Sequence, residues 1–418
     1  SIILGHYVGE SGIAIVGVAN PINFIVMGFL IGSAYGFGVI MARSFGAGDF
    51  KEFRKYFFNS IILSIIIGIV FTIVLSLVNS YLLELISTPA ELFDGAHKFL
   101  FILYIGCASS LIYNLFAATL RSIGNSFTPV LFLLLSVVIN AILAYVFVAI
   151  FSWGVEGSAV ATIIAQSTSA LCCYVYINRK YPQIRLTKQD AVLDISHMKN
   201  LILQGAPMGM QFSFTGIGLI VVQKFLNGFG TNYIAGYSVG VRIQNIVSYV
   251  YVALGTAIST FISQNIGAKR MYRIPKSVKY TTLITIGCAI FSTIVIRFFG
   301  PNFISLFTTA PNEELTHATV TYFNNVTLAY IPLGLIIVYR SALQGYGFPI
   351  TAMMAGIIEL INRVVIVIFL TDSFGFLAIC LADSVNWVIT AVFLLTVYFI
   401  ATRSHKNKNK EFYIEPSM

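Results

Sequence analysis

Charged residues are scarce in this 418-residue chain, at 10% of the total, and acidic ones scarcer still: 16 Asp and Glu stand against 25 Lys and Arg. Soluble domains carry about 25% charge, so an ordinary water-exposed surface is excluded. Only five cysteines occur, Cys107, Cys172, Cys173, Cys288 and Cys380. All fall inside apolar runs without paired spacing, which argues against a disulfide frame or metal site and leaves them as small core residues. The motifs HExxH and GxSxG are missing, as are paired catalytic carboxylates, so no enzyme is expected. Histidine is sparse too, and His6, His97, His197, His317 and His405 fall in loops or near helix ends, where none makes an intramembrane proton relay.

Apolar residues are abundant: 57% of the chain is hydrophobic, 35 residues are Phe and 22 Tyr, and the mean hydropathy is +0.87. Apolar runs of about 20 residues, each able to cross about 30 Å of hydrocarbon as a helix, recur along the chain. Punctuation by Gly, Pro and charge sets spans near 17–42, 57–79, 98–120, 128–150, 155–177, 201–226, 233–262, 278–299, 318–343, 349–371 and 375–402. This predicts an all-α polytopic membrane protein of about eleven helices. Its first residues, SIILG, read as the tail of a helix whose beginning is absent.

The excess of positive charge does not point to nucleic acid, because the basic residues sit in short loops rather than on one folded face. Most of them fall on one side if alternate loops share a side: in 43–55, 179–199, 269–279 and 403–410, with Arg121 and Arg340 counted as loop charges as well. The opposite loops hold Glu84, Glu91, Asp94, Glu156, Glu313, Glu314 and Asp372. The positive-inside rule then places the C-terminus in the cytoplasm and Ser1 outside.

The chain also repeats itself. SFGAGD at 44–49 matches NIGAKR at 265–270, STPAE at 87–91 matches TAPNE at 309–313, TLRSIGNSFTP at 119–129 matches ALQGYGFP at 342–349, and GVEGSAVAT at 154–162 matches GFLAICLAD at 375–383. A constant offset spanning six helices predicts two bundles of parallel topology. The expected organisation is an N-terminal bundle at 1–177 and a basic cytoplasmic linker at 178–199 carrying one amphipathic helix. A C-terminal bundle at 200–402 and a cytoplasmic tail at 403–418 follow.

Two such halves, with GVANPI at 17–22, YNLFAATLRSIGNSFTP at 113–129, INAILAYVF at 139–147, WGVEGSAVATIIAQ at 153–166, GAPMGMQFS at 205–213 and QNIGAKRMYRI at 264–274, resemble the multidrug and toxic compound extrusion (MATE) family, in a Firmicutes-like form lacking most of its first helix. The resemblance implies two pseudo-symmetric bundles around a central cleft, five plus six helices here and six plus six in the family. It also implies alternating access in a bacterial cytoplasmic membrane and export of cationic or amphipathic compounds against inward H⁺ or Na⁺. No other cofactor, no nucleic acid and a monomer are expected. A lipid-linked oligosaccharide flippase of the same superfamily, and a truncated inactive transporter, are the alternatives.

Two departures from the family pattern bear on coupling. The Asp that commonly follows the fifth-helix Asn by four residues is replaced by Ala144, after Asn140, and the seventh helix offers Gln211, Ser213 and Thr215 instead of Glu. On the family's pattern Asn140 and Thr162 remain in the N-terminal half, able to ligate Na⁺ but not to exchange a proton.

The residues themselves direct attention to the C-terminal half, where Glu359 and Asp383 are the acidic residues well inside spans. A charge at the bilayer centre costs about 2.5–3.5 kcal/mol on insertion scales, so retained ones are functional candidates. Glu359 stands four residues before Arg363, one helical turn, either as a packing salt bridge or as a carboxylate that a proton or cationic substrate competes for. Asp383 shows no local cation, with Asn386 and Trp387 beside it; it reads as a proton carrier or as a capping or solvated group, and Trp387 as a cation-binding aromatic or as packing. The candidate set is Glu359, Arg363, Asp383, Asn386, Asn140, Thr162, Gln211 and Trp387. Gly28, Gly32 and Gly36 form a small-residue stripe suited to close packing or bending, and Pro207 and Pro332 mark breaks or simple kinks.

Overall fold

The structure, a computed structural model, describes residues 2–304 and 312–413. Every regular element among these residues is a helix, and the chain divides into two compact units, Ser1–Ser213 and Phe214–Met418. Among the described residues ten helices are long and apolar enough to cross a membrane, and a bent pair raises the number to eleven. In hydrocarbon a helix satisfies its own backbone groups, which is why these apolar runs adopt this form.

The first unit holds α1 (Ile2–Tyr7), α2 (Glu10–Gly46), α3 (Phe50–Leu85), α4 (Ala90–Ile105), α5 (Cys107–Ser122), α6 (Phe127–Tyr145) and α7 (Gly154–Lys180), together with α8 (Ile195–Leu226) up to residue 213. The helices overrun the predicted spans: α2 has 37 residues, about 55 Å at 1.5 Å per residue, well over the roughly 30 Å of hydrocarbon. Helices α4 and α5 together make one span bent by 47°, and α6 passes into a π turn at Val146–Ile150. On α3 the exposed Ile66, Ile69, Val70, Ile73 and Leu77 recur at helical spacing as a lipid-facing stripe. The opposite requirement, close approach, explains the glycine stripe. A Cβ on Gly32 would lie 2.5 Å from the Met208 carbonyl oxygen, and one on Gly36 would lie 2.5 Å from Gly205 Cα, so α2 and α8 touch backbone to backbone there.

The connector carries no amphipathic helix, contrary to expectation. Between α7 and α8 stand only two 3₁₀ turns, Pro182–Ile184 and Lys188–Asp190. The reason is polar anchoring to α3. Arg54 donates to Asp190 at 3.0 Å and to the Gln183 carbonyl at 2.9 Å, while Asn59 donates to the Val192 carbonyl and accepts from the Asp194 amide. His197 meets Glu52 at 2.9 Å. Burial alone would raise the Asp190 carboxyl, but hydrogen bonds from Thr187 and Arg54 outweigh it and hold it below the ordinary carboxylate range.

The second unit continues α8 from Phe214 and adds α9 (Thr231–Gly267), α10 (Ile274–Ile304), α11 (Glu313–Val326), α12 (Tyr330–Tyr346), α13 (Pro349–Phe374) and α14 (Phe376–Lys408). It repeats the first unit in backbone detail. Helices α2 and α9 are both 37 residues long, and each starts after a positive-φ glycine, Gly9 at 84° and Gly230 at 88°. Downstream, Gly124 and Gly347 take φ of 90° and 91°, and Gly154 and Gly375 take 59° and 57°. The turn after α2 has Gly48 at φ 70° where the turn after α9 has Lys269 at 55°, closed by the same pair of backbone hydrogen bonds. These pairs stand 221–223 residues apart, as the sequence repeat requires. Residues 309–311 of the TAPNE match lie outside the described residues.

Pro207 sits inside an unbroken α8, whereas Pro332 follows the 3₁₀ turn Thr327–Ala329 that joins α11 to α12. Each unit closes on its own apolar core, the second built around Tyr251, Tyr322, Tyr330 and Trp387.

Candidate functional site

Four charged side chains meet inside the second unit, contributed by three successive helices. Glu359 of α13 pairs with Arg340 of α12 through Nη2 and lies 3.7 Å from Arg363 Nη1, one turn along its own helix. Arg363 Nε in turn donates to Asp383 Oδ1 of α14 at 3.0 Å. The order is Arg340, Glu359, Arg363, Asp383, alternating in sign and neutral in sum. Glu359, Arg363 and Asp383 are each 4% exposed.

The hairpins explain why these residues meet. The turn at Gly347 joins α12 to α13 and the turn at Gly375 joins α13 to α14, which makes these helices antiparallel neighbours and lets side chains 19 and 20 residues apart in sequence meet. Helix α8 completes the surroundings. Thr215 Oγ1 donates to Glu359 Oε2 at 3.4 Å, and Gly218 leaves space for Arg363, since a Cβ there would sit 3.3 Å from Arg363 Cδ. Beside the charges, Asn362 Nδ2 and Thr390 Oγ1 both donate to Asn386 Oδ1, at 3.3 and 3.2 Å. Tyr237 and Tyr322 pack edge to face with centroids 5.1 Å apart, close enough to Asp383 to interact with its charge.

The network is incomplete. Arg340 Nε, Arg363 Nη1 and Asn386 Nδ2 are buried without a hydrogen-bond partner among the described residues. An orphaned buried donor costs about 1–3 kcal/mol.

Two sequence expectations change. Asp383 does have a cation, Arg363, which the sequence hides because the pair is 20 residues apart across a hairpin. Arg340 is not a loop charge: it lies within α12 and turns inward to Glu359. Both errors have one cause, that linear charge counting ignores which helix faces meet.

The remaining candidates lie apart from this cluster. In the first unit Asn140 Nδ2 donates to Thr162 Oγ1 at 3.0 Å, and that hydroxyl donates to the Ser158 carbonyl. Gln211 is buried in the portion of α8 that belongs to the first unit. Trp387 is 3% exposed within the apolar core. In the repeat, Thr162 and Asp383 are counterparts, so the helix pair α6–α7 carries a neutral contact in the first unit where α13–α14 carries the ionic one in the second. Among the described residues no three His, Cys, Asp or Glu side chains come together as a metal site.

The MatE family model matches residues 1–146 and 207–369. A probable multidrug resistance protein of Bacillus subtilis, YpnP, is 24% identical over 318 residues, 75% of this chain and 70% of that protein. The FAD transporter of Shewanella oneidensis is 22% identical over 84% of this chain and 78% of its own. The multidrug export protein MepA of Staphylococcus aureus is 23% identical over 83% and 77%. A crystal structure of MATE in the bent conformation superposes with TM-score 0.88 at 18% identity, covering 99% of this chain and 91% of that one. A MOP-superfamily transporter from Pyrococcus furiosus gives 0.86 at 19%, covering 98% and 92%. With the family model spanning well over half its length and two helical bundles of matching topology, the chain belongs to the MatE family of multi-pass membrane transporters.

Proposed function

We propose that this chain is a secondary antiporter that exports cationic or amphipathic compounds in exchange for inward H⁺ or Na⁺, with the Arg340–Glu359–Arg363–Asp383 cluster as its charge-sensing element. The observation that carries the proposal is a neutral ionic chain with orphaned donors, buried among helices that cross the membrane. In low dielectric a neutral network resists the arrival of any net charge. A cation or proton that reaches Glu359 or Asp383 must therefore displace an arginine, and the displaced arginine needs a new partner. Such a network has two arrangements, and drug and ion each shift the balance between them, which is the coupling that antiport requires. The likeness to relatives named as multidrug proteins supports the substrate class.

The reading extends to location. The positive-inside rule supports a cytoplasmic C-terminus and the bacterial relatives support a bacterial cytoplasmic membrane, whose potential contributes about 2.3 kcal/mol per charge per 100 mV to drive the cation inward. A flippase for a pyrophosphate-linked lipid would need surplus positive charge, whereas each buried arginine of this cluster already faces a carboxylate.

The test is extrusion of a fluorescent organic cation from proteoliposomes holding the chain, with a pH gradient or a Na⁺ gradient imposed separately. Export under one gradient alone, lost in Glu359→Gln and in Asp383→Asn, is the expected result. Unchanged export and ion dependence in both variants would remove the cluster from coupling. Loss confined to Asn140→Ala and Thr162→Ala would move coupling to the first unit.

A further inference from the structure

Away from the ionic cluster, the second unit carries a cavity of about 650 Å³ at the basic ends of α10, α12 and α14. Its walls combine two chemistries. Lys279, Arg403 and Lys406 supply three positive charges, and no carboxylate lines it among the described residues. Four tyrosines, Tyr339, Tyr346, Tyr398 and Tyr413, form the inner surface, with Tyr339 and Tyr398 edge to face at 4.9 Å. Tyr413 belongs to the turn Lys410–Tyr413 that follows α14, and its hydroxyl lies 3.2 Å from His405 Nδ1, which fixes the turn over one side of the cavity.

The three cations are exposed, and none forms an ion pair among the described residues. The remaining walls include Leu283 and Phe399, 53% and 62% exposed on helices that cross the membrane, so the cavity is continuous with a lipid-facing surface.

The first unit offers a partial contrast. A cavity of about 470 Å³ lined mainly by α3, α5 and α7 has no charged residue in its walls among the described residues, and Phe58 stands at the position that Lys279 takes in the repeat.

We propose that the cavity in the second unit is a binding site for an anionic phospholipid, its phosphodiester held by Lys279, Arg403 and Lys406 and its acyl chains laid over Leu283 and Phe399. Lysine and arginine at the membrane surface reach a headgroup phosphate while their stems lie along apolar side chains. Tyrosine suits the same depth, with an apolar ring and a hydroxyl that can donate to phosphate. A soluble anion would use the cations but leave the exposed apolar wall uncovered, whereas a lipid uses both. The site is independent of the coupling cluster, and its test does not depend on transport.

The experiment titrates the purified full-length chain in detergent with dioleoylphosphatidylglycerol or dioleoylphosphatidylcholine and counts bound lipid by native mass spectrometry. Phosphatidylglycerol is expected to saturate at one tight site per chain and phosphatidylcholine not to. With each cation contributing about fivefold, Lys279→Gln/Arg403→Gln/Lys406→Gln should weaken that site about 100-fold. The charge-matched control Arg185→Gln/Lys188→Gln/Lys199→Gln, at exposed positions in the connector and at the start of α8, should leave it intact. Equal binding of both lipids, or equal loss in the control, would overturn the proposal. So would displacement by glycerol 1-phosphate at lipid-like concentrations, which would make the site one for a soluble anion.

Discussion

Arg363 serves two carboxylates and Asp383 has one cation, and this asymmetry gives a prediction whose sign and size follow from the geometry. At 3.0 Å and an effective dielectric of about 20, the Arg363–Asp383 attraction is about 5 kcal/mol before desolvation is subtracted. Desolvation removes much of it, so the intact pair contributes little net stability, but breaking the pair leaves an uncompensated buried charge. Arg363→Met strands Asp383, while Glu359 keeps Arg340, and should destabilise by about 3–5 kcal/mol. Asp383→Asn leaves Arg363 with Glu359 at 3.7 Å and should cost less, about 1.5–3 kcal/mol. Arg363→Met/Asp383→Asn removes both charges, restores neutrality and should be more stable than Arg363→Met alone, with a coupling energy of about 2–3 kcal/mol. The assay is unfolding by SDS from mixed micelles, followed by helical circular dichroism, on the four members of the cycle. A double variant no more stable than Arg363→Met, or costs that add within about 0.5 kcal/mol, would refute the ionic network as described.

Three further outcomes follow from other parts of the chain. Gly36→Ala places a methyl group 2.5 Å from Gly205 Cα and should lower stability by about 1–3 kcal/mol, read as a fall in thermal unfolding midpoint; an unchanged midpoint would mean that α2 and α8 are not in backbone contact. The lowered carboxyl of Asp190 holds the connector to Arg54, so its contribution is full above the ordinary carboxylate range and fades as pH falls through the lowered value. Proteolysis within residues 181–194 should therefore rise on acidification below about pH 4, and Asp190→Asn should show that cleavage already at neutral pH. Gly347→Val forces a β-branched residue to φ 91° and should cost at least about 1–2 kcal/mol by thermal unfolding; a neutral result would contradict the turn that joins α12 to α13.

The membrane helices were legible in the sequence because hydrocarbon imposes one requirement on every span, and the repeat was legible because turn glycines such as Gly154 and Gly375 recur with their neighbours. Glu359 and Arg363 could be paired from spacing alone, since both lie on α13 one turn apart. Arg340 and Asp383 could not be placed by local rules. Each meets its partner across a hairpin, and Arg340 sits close enough to the end of its apolar run to pass for a topology signal. The connector was misread for a related reason: its length leaves room for one short helix, but Arg54 and Asn59 of α3 take its backbone and carboxylate groups as partners instead.

The order of the ionic chain also bears on how the protein enters its membrane. During synthesis α12 emerges with Arg340 unpaired, and its first carboxylate arrives 19 residues later with Glu359. Arg363 comes with α13, and Asp383 a further 20 residues on, with α14. An arginine within a lone span resists release into lipid by up to about 2.5–3.5 kcal/mol. Helix α12 is therefore better retained at the insertion machinery until α13 is made, and α13 until α14. The last three helices should leave as a group, and a chain shortened after α13 should hold its final helices in the membrane poorly despite their hydrophobicity.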